Sequence, residues 1–203
     1  MKFVRSVPIL FKEKYDSAVL SLRTLLIITT GLFCAGIISG LFLPVENFTF
    51  LSEEISALEQ LSQTLQPFKL STMVFIYLKN VSALVISLLL SPLLCLMPAF
   101  SLLLNGWVIS FVALPLVQYG AGSLLIAGIL PHGIFEIPAF ILGEAIALGF
   151  GLSALSTLRS KKWGNLKTVF FQSLRFFVIA IILLIPAAFI ETFVTPRLIA
   201  YLL

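Results

Sequence analysis

Charged residues are so widely spaced in parts of this chain that the gaps between them decide its fold class. Twenty-two uncharged residues separate Arg23 from Glu46, 56 separate Lys79 from Glu136, and 15 separate Arg175 from Glu191. A helix needs about 20 predominantly apolar residues to cross a hydrocarbon core about 30 Å thick. The first gap holds one crossing, the second fits two, and the third the body of another. Composition agrees: 60% of the 203 residues are hydrophobic, 11% are charged, and the mean hydropathy is +1.13. A soluble particle of this size cannot hide that much apolar surface. The apolar runs are continuous rather than alternating, which excludes a β-barrel. The expected fold is an all-α, polytopic membrane helix bundle forming a single domain.

Spans are expected at 24–44, 80–98, 102–118, 133–158 and 169–190. The break between the second and third falls around Pro98–Asn105, and Tyr119-Gly-Ala-Gly-Ser123 reads as a turn. Pro131 is expected to break any helix arriving from Leu124, so residues 120–131 form a possible sixth crossing, half helix or re-entrant segment. The first apolar run is too long for a signal-peptide core and should remain as an anchor.

Lys2, Arg5, Lys12, Lys14 and Arg23 precede the first span, and Arg159, Lys161, Lys162 and Lys167 follow the fourth. Five crossings put both groups on one side, the cytoplasmic side by the positive-inside rule, with the C-terminus outside the cell membrane. The net charge of +4 then belongs to loops beside lipid, and no nucleic-acid partner is expected. Val7, Phe11, Tyr15, Ala18 and Leu22 recur at helical spacing, so 2–22 reads as an interfacial helix, or as a surface helix packed on the bundle. Leu51, Ile55, Leu58 and Leu65 mark a second, extracytoplasmic helix over 49–66, a lid or a contact for a partner or a second copy. Cys34 and Cys95 lack metal or disulfide spacing and read as small apolar side chains.

The informative residues are polar ones at membrane depth: His132, Glu136 and Glu144, with Asn80 and Asn105 at the starts of spans two and three. Ionisable groups there are costly and face a bundle interior or a water-filled cavity. His132 and Glu136, four apart, share a helix face that continues as Ala139, Gly143, Ala147 and Gly151, a seam on which another helix can pack closely. Glu144 lies about 80° from Glu136 around the wheel, so it need not share a partner. Pro131 and Gly133 suggest a hinge, a device that serves transport sites and plain packing alike. Catalytic zinc typically takes three protein ligands, and His132, Glu136 and Glu144 would supply them only awkwardly. No HExxH, GxSxG or phosphate loop is present. No catalytic residues, metal or cofactor are expected.

Asn80, the Asn105-Gly106 pair and above all Pro131-His132-Gly133-Ile134-Phe135-Glu136-Ile137-Pro138-Ala139 resemble the stage II sporulation protein M family of integral membrane proteins. The resemblance covers about residues 70–160. It implies five helical spans and, from the family's namesake, a scaffold that holds membrane-anchored, peptidoglycan-degrading partners during engulfment. It implies no catalytic duty for the matching positions Asn80, Asn105, Gly106, His132, Gly133 and Glu136. Two functions follow as expectations. One is a non-enzymatic scaffold assembling with itself or other membrane proteins. The other is a small oligomeric transporter, channel or exporter component using His132 and Glu136.

Overall fold

The computed structural model describes residues 20–42, 66–93, 95–160 and 166–202. The expected helices over 2–22 and 49–66 lie almost wholly outside these residues. Six helices appear: α1 Leu22–Phe42, α2 Leu70–Leu90, α3 Leu96–Gln118, α4 Gly122–Ser160, α5 Leu166–Phe193 and α6 Thr195–Leu202. No strand occurs among the described residues. Five helices are long and apolar enough to cross a membrane, the last running from Val169 through α6. Their outward faces are oily, as at Ile27, Phe100, Ile134 and Ile182, which suits contact with lipid.

Helix α4 is the centre of the bundle, touching α1, α2, α3, α5 and α6. At 39 residues it measures about 58 Å, so it tilts through a 30 Å core or projects beyond it. Its middle is well enclosed: Ala139, Ala145 and Ala147 are fully buried. Phe33, Leu84, Leu102, Phe177 and Leu184 from the other helices close around it.

Pro131 and Pro138 both lie inside α4, and neither breaks it. The half-helix expected at 120–131 is therefore the first part of α4. Proline removes one backbone bond, and in a packed membrane helix neighbouring groups and small local adjustments absorb the loss. The real break lies just before it. Gly120 takes a left-handed φ of 73°, Gly120 N–H donates to Val117 O at 3.1 Å and Ala121 N–H to Leu116 O at 2.7 Å. This is a Schellman stop, and it ends α3 where the turn over 119–123 is expected.

Helix α2 begins at Leu70, ten residues before the expected start, so Lys79 and Asn80 fall inside a span. Helices α2 and α3 are joined near Ser91–Cys95 rather than around Pro98–Asn105, with Cys95 at φ 58°. Pro98 sits in the first turn of α3, where its missing N–H costs little. Asn105 is thus mid-helix.

Two seams of small residues set the packing. On α4, the expected seam docks against α2 and the turn after it. A Cβ on Gly143 would come within 2.8 Å of the Leu84 side chain, and one on Gly151 would collide with the backbone carbonyl of Ser91. The second seam joins α1 to α3. Cβ atoms on Gly36 or Gly106 would collide with backbone carbonyls of Leu103 and Phe33, and one on Gly40 would lie 2.7 Å from Ser110 Cβ. Ser110 Oγ–H donates across this seam to Ile37 O at 2.6 Å. Before α2, Phe68 N–H donates to Thr192 O at 3.2 Å, and the Arg197 guanidinium stands 5.0 Å over the Phe68 ring.

Candidate functional site

One cavity of about 570 Å³ carries most of the polar residues the sequence draws attention to. All five long helices line it: Phe33 from α1, Lys79, Asn80 and Ala83 from α2, Asn105 from α3, His132, Gly133 and Glu136 from α4, and Glu191 from α5. The geometry follows from helical spacing. Lys79, Asn80 and Ala83 lie on neighbouring turns of α2, and His132 and Glu136 are one turn apart on α4. Phe33, Ile109, Ile137 and Phe140 form an apolar floor.

Asn80 Nδ2–H donates to Glu136 Oε1 at 3.1 Å. This bond fixes the carboxylate and leaves Oε2 facing His132, whose Nε2 is 3.7 Å away. That separation exceeds a hydrogen bond. The other ring nitrogen, Nδ1, is buried without a hydrogen-bond partner among the described residues. Glu191 reaches the same place from α5: one ligand-type atom each from His132, Glu136 and Glu191 lie within 4.8 Å of one another. A His–Glu–Glu trio with an ammonium group on the same wall is thus assembled from three helices.

Some expected members stand apart. Asn105 lines the cavity, but its amide donates to Ser101 O of its own helix at 2.8 Å, not to Glu136. Gly133 is buried and lines the cavity. A Cβ there would meet Ile137 and Ile129 of its own helix at 3.5 and 3.7 Å, ordinary contact distances. Glu144 lies two turns further along α4, fully buried, and accepts a hydrogen bond from the Ser87 hydroxyl of α2. Glu144 and Ser87 tie α2 to α4 away from the cavity. Replacing Ser87 by alanine strands the carboxyl and should cost about 1–3 kcal/mol. A lower thermal midpoint in detergent, with ligand binding in the cavity unchanged, is the expected readout; an unchanged midpoint contradicts it.

Lys79 and Glu191 are the residues that sequence reasoning missed. Both served as markers of span ends because charge is scarce in membranes. A signal was present for each: Lys79 directly precedes Asn80, and Glu191 follows an apolar run of only 15 residues.

The family model described as Stage II sporulation protein M matches residues 29–196. The chain belongs to that family. The uncharacterized protein MJ0706 of Methanocaldococcus jannaschii is 27% identical over 166 residues, spanning 78% of this chain and 74% of its own length. The uncharacterized protein MJ0793 of the same organism is 38% identical over 82 residues, spanning 40% of this chain and 46% of its own length. No solved structure matches. Every cavity residue named above lies inside the family match, Glu191 included. Together with the five apolar helices, the family makes this a membrane protein.

Proposed function

We propose that this family member is a non-enzymatic membrane component that admits a small polar solute or ion to the cavity at membrane depth. It works with its N-terminal end cytoplasmic and its C-terminal end outside, beside other membrane proteins or a second copy of itself. One observation carries the reading. Lys79, His132, Glu136 and Glu191 face a cavity instead of packed protein, although burying ionisable groups in a membrane is costly. A group serving only as a brace is better placed away from any cavity, as Glu144 is: fully buried, with one carboxyl oxygen accepting from Ser87. The charge pattern supports the orientation, with nine of the 13 Lys and Arg residues before the first helix's second turn or within 159–167.

The test is flux. The purified chain is placed in vesicles that trap a pH-sensitive or a divalent-ion-sensitive dye, and a gradient is imposed. Flux above that of empty vesicles is expected; leakage equal to theirs overturns the proposal.

A second reading, the scaffold implied by the family's namesake, draws on the Asn80–Glu136 bond, which links α2 to α4 in the manner of an internal brace. It expects loss of partner complexes, without any flux, when that bond is removed.

A further inference from the structure

We infer that His132, Glu136 and Glu191 form a binding site for one divalent metal ion of the zinc or manganese class, seated in the wall of the cavity. The inference rests on reading that cavity as a place where a ligand binds. Its first support is distance. Metal bonds to imidazole and carboxylate are about 2.0–2.2 Å, which puts neighbouring ligand atoms about 3–4 Å apart. The three candidate atoms lie within 4.8 Å of one another, so small side-chain rotations bring them onto one ion. His132 Nε2 and Glu136 Oε2, at 3.7 Å, are too far apart to bond each other and already have the spacing of two donors on one metal.

The surroundings point the same way. Asn80 holds Glu136 by Oε1 and so aims Oε2 at the imidazole, the orienting role that outer groups play around metal ligands. The cavity leaves positions open for water or a solute. The donor set selects the metal. An imidazole with two carboxylates suits zinc or manganese better than calcium or magnesium, which prefer oxygen alone. No thiolate is present to favour copper(I), since Cys95 and Cys34 do not line this cavity. Lys79 is the competitor. Its ammonium group lines the same cavity, so metal entry must displace or repel it.

The test uses the tag-free full chain in mild detergent, stripped with chelator and dialysed against Zn²⁺ and, in parallel, Co²⁺. One Zn²⁺ per chain is expected, and Co²⁺ should show the visible absorption of a four- or five-coordinate site. His132→Ala and Glu191→Gln should each weaken Zn²⁺ binding at least about tenfold, and Asn80→Ala about tenfold as an outer-group loss. Glu144→Gln should leave binding unchanged, and Lys79→Met should tighten it. Glu191→Gln keeps the shape of the side chain, and an unchanged gel-filtration profile separates lost binding from misfolding; Lys79→Met, expected to gain affinity, does so independently. No stoichiometric ion, or binding indifferent to His132→Ala and Glu191→Gln, overturns the site and leaves Lys79 as the resident cation. Flux that persists in wild-type vesicles without any Zn²⁺ binding removes the metal but keeps the ligand cavity. Binding without flux keeps the metal and removes transport.

Discussion

Replacing Gly36 by leucine is expected to unseat α1 from the bundle. The Cβ alone would collide with the backbone carbonyl of Leu103, and backbone on one side of the contact cannot swing away as a side chain can. Helix pairs in membranes are held by close packing and interhelical hydrogen bonds, because lipid offers no hydrophobic drive for association. Separating α1 from α3 would also break the Ser110–Ile37 bond. The loss should exceed about 3 kcal/mol, the upper range for overpacking a tight core. Gly31→Leu is the matched control, since a Cβ at that position on the same helix meets nothing within 4 Å. Aggregation or an early thermal transition of the Gly36 variant, beside a Gly31 variant like wild type, is the expected pattern in detergent. Equal behaviour of the two would show that α1 does not rest on α3 through this glycine.

The second large effect is expected at Glu136. Its carboxylate is held by Asn80, faces His132, and shares the cavity wall with Glu191 and Lys79. Glu136→Gln removes the charge and half of the acceptor capacity while keeping the volume, and should abolish vesicle flux without lowering thermal stability. Glu144→Gln alters a carboxyl on the same helix that Ser87 bonds outside the cavity, and flux should survive it. His132→Ala should follow Glu136→Gln. If the two glutamine variants lose flux equally, or keep it equally, the cavity does not carry the activity.

Most of the architecture was legible in the sequence because membrane physics leaves few alternatives. Long charge-free stretches must be helices, and five of them suffice. The stop after α3 was visible in Gly120 and the residues around it. The α4 seam was visible in the four-residue spacing of Ala139, Gly143, Ala147 and Gly151. The α1–α3 seam carries the same spacing at Gly36 and Gly40 and went unread, since no polar residue drew the eye to it.

Charge used as a ruler failed where charge has a task. Lys79 looked like the edge of a span, yet it sits in the tenth position of α2, beside a polar cavity. Glu191 looked like the end of the last crossing and instead completes the trio with His132 and Glu136. Pro131 looked like a break, but a single missing N–H does not end a helix that five others surround. Glu144 shows the converse: nothing in the sequence says that Ser87, 57 residues away, is placed to donate to it.

The account depends on water reaching the polar cluster inside the membrane, and cysteine labelling measures this directly. In a chain with Cys34→Ser and Cys95→Ala, Ala83→Cys places a thiol on the cavity wall, while Leu78→Cys places one on an exposed, outward face of α2 outside the cavity and at a similar distance from the helix ends. A charged, membrane-impermeant thiol reagent should label position 83 rapidly, and from one side of the vesicle only, with position 78 slow. Labelling at 83 that is no faster than at 78 would mean that the cavity is dry, and the ligand-binding reading would fall.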